Sequence, residues 1–209
     1  QSVSDLTAAT RTIRATSERE VAALVARATR ALFCNSGKAF VGDYVRFQTG
    51  YAFRSEWFSE SGARVARNVN VSHGRLDWAD TARIPDEMRP EYDRFELLEG
   101  DILVSLDRPI ISTGVKVARV VSSDLPCLLL QRVARAKFLD DRLLPEYLFQ
   151  WLQSAHFIEA IDPGRSNGVP HISHKASEKI QFCAPPVSEQ KALCGRIQML
   201  HDAVAELRT

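Results

Sequence analysis

The chain has 209 residues, 45% of them hydrophobic, and its 27 basic and 26 acidic side chains leave a net charge of +1. That length gives one medium domain or two small ones. The apolar content excludes a disordered chain, and the near-zero charge offers no sign of nucleic-acid binding by itself. Only Lys38, Lys116, Lys137, Lys175, Lys179 and Lys191 are lysine, so arginine dominates the cations. That excess suits bidentate contacts to phosphate and guanine, and equally follows from a GC-rich coding bias. Cys34, Cys127, Cys183 and Cys194 are scattered without a C-x-x-C pair, which argues against a zinc site or disulfide framework and fits a reducing cytoplasm. No apolar run is long enough to span a membrane, and no signal peptide is visible. Gln1 in place of an initiating Met reads as a processed or excised fragment.

Residues 3–33 read as a helix. Val3, Leu6, Ile13, Val21, Leu24, Ala28 and Leu32 recur near three-to-four spacing, with neither proline nor glycine before Gly37. Asn35-Ser36-Gly37 ends it. From about 40 to 135 the pattern changes to short apolar or β-branched runs: Val41–Phe47, Val65–Val71, Asp101–Leu106, Val115–Val121 and Cys127–Val133, punctuated by glycines. Pro145–His156 reads as a helix with Pro145 at its first position, Gly164–Pro170 as a loop, Ser173–Lys179 as a short helix and Phe182–Pro186 as a terminal strand. Beyond Pro185-Pro186, Ser188 caps a last helix whose Leu193, Ile197, Leu200, Val204 and Leu207 form a narrow seam. The seam is unbroken where the chain stops, which reads as truncation. The expected fold is therefore α+β: a helix over 1–35, a globular domain over 36–186 and the start of a helix over 187–209. The two helices are expected to lie antiparallel as a coiled coil, because each apolar stripe needs a partner. The first helix carries a surplus, Val21, Ala22, Ala23, Val25 and Ala26. A second docking surface and a small-residue helix chosen for propensity both fit it.

Catalytic signatures are missing. There is no glycine-rich cofactor loop with an Asn-Pro-Pro-aromatic tetrad, and the only Pro-Pro follows alanine. There is no phosphate-binding loop, and Pro85-Asp86 is not followed by the Glu-x-Lys of a metal nuclease. His171 and His174 could share a metal, but no third ligand is nearby and no nucleophile elbow surrounds Ser173.

Polar loops offer binding chemistry instead. Tyr51, Arg54 and Ser55 join an aromatic, a cation and a hydroxyl in one loop. If Val65–Val71 is a strand, its valines face one way and Arg64, Asn68 and Asn70 the other, with Arg67 close by. Arg and Asn read guanine and adenine edges; a solvated sheet face fits the same pattern. Ser105, Asp107 and Arg108 follow a strand, and Arg165 and Asn167 lie in a flexible loop whose glycines let amides approach phosphate, though a bare surface turn fits them as well.

The order of these motifs resembles the recognition domains of Type I restriction–modification specificity subunits. The resemblance runs through Gly50-Tyr51-Ala52-Phe53-Arg54-Ser55, Val65-Ala66-Arg67-Asn68-Val69-Asn70, Gly100-Asp101-Ile102-Leu103, Leu129-Leu130-Gln131-Arg132, Pro145-Glu146-Tyr147-Leu148, Gly168-Val169-Pro170-His171 and Pro185-Pro186-Val187-Ser188-Glu189-Gln190. It covers about residues 41–200. One departure is Leu106-Asp107-Arg108-Pro109, where many relatives carry a glycine-rich turn. The resemblance implies a non-catalytic module that reads half of a split target in double-stranded DNA, with His171 among the contacts. Spacer helices would hold methyltransferase subunits, with Val21, Val25, Leu193, Ile197 and Leu200 as docking positions. A translocase/restriction subunit and a second recognition domain, or a second copy, complete the implied partners. S-adenosylmethionine, ATP and magnesium would be used only by those partner subunits. A recognition module from another restriction or phage-defence methyltransferase, and a metal enzyme built on His171 and His174, are the alternatives.

Overall fold

In the computed structural model of the chain, residues 27, 29–31, 33, 38–112, 114–161 and 172–206 are described. Most of the helix expected over 3–33, with Val21 and Val25, lies outside the described residues, as do Arg165, Asn167, His171 and Leu207.

A five-stranded sheet carries the fold. Its order is β2 (Val45–Thr49), β11 (Val133–Phe138), β6 (Ile102–Ser105), β9 (Val117–Arg119) and β4 (His73–Gly74). Neighbours are antiparallel except β4, which runs parallel to β9. A second sheet has β3 (Ala63–Ala66) between a parallel β10 (Cys127–Leu129) and an antiparallel β5 (Arg83–Ile84). β1 (Lys38–Phe40) pairs with β12 (Gln181–Cys183), and β7 (Ile110–Ile111) with β8 (Gly114–Val115). The helices are α1 (Pro145–Leu152), α2 (Ala155–Ile161), α3 (His174–Glu178) and α4 (Val187–Glu206).

The large sheet is buried on both faces, so its strands read as nearly continuous apolar runs. Ile102, Val104, Val117, Ala134 and Ala136 face a core completed by Tyr147, Trp151 and Phe157 of the helices. Leu103, Ala118 and Val133, one step out of phase, face a second core shared with Val65, Ile84, Leu128 and Leu129 of the smaller sheet. Arg135 falls on this second face. Its side chain is only 4% exposed and pairs with Asp101 at 2.9 Å. Two of its nitrogens also reach the Glu96 and Arg94 carbonyls and Gln48 Oε1.

Both helices and strands are present, as expected, but several boundaries differ. Val41–Asp43 is a tight 3-10 turn, so β2 starts only at Val45. The strand expected over Val65–Val71 ends at Ala66. Cys127–Val133 is split between two sheets by a turn at Gln131-Arg132. The helix expected to His156 breaks after Leu152, where the Ser154 hydroxyl donates to the Trp151 carbonyl and accepts from Phe157 N–H.

α4 begins at Val187, one residue before the expected cap. Gln190 is fully buried there. Its amide donates to the carbonyls of Arg142 and Pro185, both at 2.8 Å, and its oxygen accepts from Leu144 N–H at 2.8 Å. This fastens the helix start to the loop entering α1. The seam expected to meet a partner is therefore partly used at home: Leu193 and Ile197 are buried in the helical core. That corrects their assignment as docking positions, because Ile197 has no exposed surface and Leu193 only 7%, which leaves little to gain by docking. Leu200 and Val204 stay half-buried. Of the N-terminal segment, Phe33 packs edge-on against Tyr147 and Arg30 pairs with Glu159. Among the described residues, no helix is long and apolar enough to cross a membrane.

Candidate nucleic-acid interface

The sheet registers bring several polar loops to one rim. Ser105, the last residue of β6, lies opposite Val133, the first of β11, and Thr49, the last of β2, lies opposite Ala134. β3 and β10 are parallel, so both end at this same side, where Leu130 N–H donates to the Ala66 carbonyl. Lys116 immediately precedes β9, whose Val117 pairs with Val104. Ile172 N–H donates to the Leu106 carbonyl, which brings the start of α3 to the rim as well.

Gly50 makes the junction of the two sheets possible. A Cβ there would come within 2.2 Å of the Leu129 carbonyl oxygen. Only glycine lets the end of β2 pass so close, which allows Tyr51 N–H to bond Leu129 O at 3.0 Å.

Two grooves open on this rim. One, of about 560 Å³, is lined by residues including Gln48, Tyr51, Ala52 and Arg94. The other, of about 450 Å³, is lined by residues including Leu106, Asp107, Arg132 and His174. Thr49 and Gln131 belong to both, so the two grooves adjoin along the rim.

A polar cluster sits beneath the second groove. The buried Ser105 hydroxyl has two acceptors, Asn68 Oδ1 and the Asp107 carbonyl, the latter at 2.8 Å. Lys116 Nζ donates to the Asn68 carbonyl at 3.2 Å. Burial pushes Lys116 below the ordinary lysine range, and Asp107 opposes that shift. Asp107 pairs with Arg132 at 3.1 Å.

Of the residues expected from sequence to touch a ligand, Tyr51, Asn68, Ser105, Asp107 and Arg108 gather at this rim. Ser105 is wholly buried and Asn68 is engaged with it, so these two shape the rim from below. Tyr51 also packs into an aromatic cluster with Phe53, Tyr92 and Phe95. Arg54 stacks over Trp57, and Ser55 bonds Glu56, in the next turn of chain.

The other three expected contacts do different work. Arg64 stacks over Trp78 and donates to the Ser123 carbonyl, in a turn at the opposite ends of the strands. Arg67 pairs with Asp80 at 2.7 Å. Asn70 is 1% exposed and spends its amide on the carbonyls of Asp77 and Asp80 and on Arg67 N–H. The alternation expected over Val65–Val71 fails because Arg67–Asn70 is a turn, which buries Asn70 and exposes Val69. A buried amide with its bonds filled has nothing left for a base, and this corrects the expectation for Asn70.

Sequence reasoning missed Thr49, Lys116, Gln131 and Arg132 as site residues. The available signal was the pair Gln131-Arg132 interrupting an apolar run from Cys127 to Val133. Among the described residues, no group of three or more His, Cys, Asp or Glu could hold a metal. His174 lines the second groove, while His171 lies outside the described residues.

No family model matches the chain. It is 47% identical over 168 residues to the Type I restriction enzyme EcoAI specificity subunit of Escherichia coli, matching 80% of the chain and 28% of that protein. Across four fifths of its length the chain is similar to a Type I restriction-enzyme specificity subunit. The MjaVIII specificity subunit of Methanocaldococcus jannaschii is 28% identical over 163 residues, 78% of the chain and 38% of that protein. The chain thus spans well under half the length of either specificity subunit. The fold matches a chain from a structure describing complex assembly and conformational transition of the type I R-M system, with TM-score 0.73 and 17% identity over 98% of this chain and 50% of that one. It also matches the HsdS subunit from Thermoanaerobacter tengcongensis, with TM-score 0.64 and 17% identity over 98% of this chain and 49% of that one.

Proposed function

We propose that this segment of a specificity subunit binds double-stranded DNA and selects its sequence, lending that selection to partner subunits that carry out the chemistry. The observation that carries the reading is the 47% identity, over 168 residues, to a protein named for specificity. The rim adds a physical basis. Its loops hang from strands buried on both faces, and they hold amide, hydroxyl and guanidinium groups along two adjoining grooves. A near-neutral chain must rely on such placed groups rather than on bulk charge.

In this reading the recognition domain occupies about 36–186, joined through the first half of α4 to a helical spacer. The N-terminal helix and the outer half of α4 form an antiparallel pair. Val21, Val25 and Leu200 dock a methyltransferase subunit, and a translocase/restriction subunit joins the assembly. Arg165, Asn167 and His171 extend the DNA contact. S-adenosylmethionine, ATP and magnesium serve the partners, and this chain has no catalytic group of its own. The subunit works in the cytoplasm, where the DNA is.

The test is selection from random duplexes by the complete subunit assembled with its methyltransferase partners. Enrichment of a defined sequence is expected, with affinity falling steeply as salt rises. Equal retention of all duplexes would overturn the proposal.

A further inference from the structure

Two arginines at the rim hold backbone conformations that ordinarily fall to glycine. Arg108 has φ of 47° and Arg132 has φ of 74°. A Cβ crowds the backbone there, and non-glycine residues in this region concentrate at functional sites. A turn that needed only its shape would be served better by glycine.

Arg132 is the better defined of the two. It is the third residue of the Leu130–Val133 turn, closed by Val133 N–H to the Leu130 carbonyl at 3.1 Å, and Gln131 N–H is held to the Tyr51 carbonyl at 2.8 Å. The backbone beneath the side chain is therefore fixed. The guanidinium is oriented as well, because Nη1 donates to Asp107 Oδ2 at 3.1 Å. Asp107 is 18% exposed and Arg132 is 67% exposed. A sheltered carboxylate thus aims a guanidinium whose other N–H groups have no partner among the described residues.

The neighbouring carboxylate also indicates what those donors meet. A guanidinium already paired with Asp107 gains less from a phosphate than an unpaired one would, whereas a base edge asks for aimed hydrogen bonds rather than net charge. Guanine offers O6 and N7 side by side, which a planar, pre-aimed fork matches with two parallel bonds.

We propose that Arg132 reads a guanine in the major groove of the selected duplex, with Asp107 as its positioning residue. This rests on the DNA reading above. The test uses the complete subunit with its methyltransferase partners and the duplex it selects. Each G·C pair is exchanged in turn for A·T, and each guanine for 7-deazaguanine, which lacks the N7 acceptor. For the wild type, exchange at the contacted pair costs about ten- to a hundredfold in affinity. Arg132→Ala erases the effect at that pair and leaves the other positions discriminating. Arg132→Lys keeps the charge but loses the planar fork, so it restores the effect only in part. Asp107→Asn blunts discrimination at the same pair alone. Arg132→Gly loses the same discrimination while folding at least as stably as the wild type, so the loss is not unfolding.

If Arg132→Ala weakens every duplex alike, or leaves every positional preference intact, the assignment of Arg132 is overturned while the DNA reading stands. A selected half-site without any G·C pair overturns it as well. A wild-type assembly without sequence preference overturns both.

Discussion

Replacing Arg135 with methionine tests whether the second core depends on its buried ion pair. The methionine keeps the apolar stem, so the change isolates the guanidinium. Three kinds of contact are lost: the Asp101 carboxylate at 2.9 Å, the Glu96 and Arg94 carbonyls, and Gln48 Oε1. Removing one partner of a buried pair costs about 3–5 kcal/mol, mostly from the charge left behind. Here Asp101 keeps the Leu98 N–H at 2.8 Å, and the Arg94 carbonyl keeps Gln48 Nε2 at 2.9 Å. The loss should therefore fall near the lower bound, about 3 kcal/mol. Urea unfolding followed by far-UV circular dichroism and tryptophan fluorescence measures it, since Trp57 and Trp78 report on the second core and Trp151 on the helical one. Adding Asp101→Asn preserves an acceptor for Leu98 N–H while deleting the stranded charge, and should restore about 1–2 kcal/mol. A single variant within about 1 kcal/mol of wild type, or a double variant no better than the single, would refute the reasoning.

Two further outcomes follow from buried groups. Gln190→Ala leaves Leu144 N–H and the Arg142 and Pro185 carbonyls without their partner, and should lower unfolding stability by about 2–4 kcal/mol in the same assay. Burial pushes the Cys127 thiol up from 9.0 to about 12, so peptide-resolved alkylation at pH 8 should spare it until the chain unfolds. Because that folded value lies above the unfolded one, the thiol's contribution to stability is complete below pH 9.0 and is lost as the pH climbs towards about 12.

The sequence made some elements legible because local rules and tertiary packing agree there. Pro145 at a first helical position and the seam through Leu193 and Ile197 both mark real helices. Periodicity shows that a stripe must be covered, not by what: the domain's own core covers the first half of this seam, and the N-terminal helix expected against it lies mostly outside the described residues. At Val65–Val71 the alternating pattern imitates a strand, yet the chain turns at Arg67 so that Asn70 can satisfy loop carbonyls. That is a tertiary demand with no local signature. For the site, Tyr51, Asp107 and Arg108 were readable from polar groups placed at strand ends. Arg132 was not, because its importance comes from φ and from Asp107, 25 residues away in sequence.

The central claim is that the rim holding Thr49, Asp107 and Gln131 faces DNA, and photo-crosslinking tests it most directly. A photoreactive side chain is placed in turn at Gln131 and Arg108, both exposed on this rim, and at Ser123 and Leu139, both exposed at the opposite ends of the strands. The complete subunit, assembled with its methyltransferase partners, is irradiated on the duplex that it selects. Crosslinks at Gln131 and Arg108, with none at Ser123 and Leu139, are the predicted result. Crosslinks confined to Ser123 and Leu139, or equal at all four positions, would contradict it.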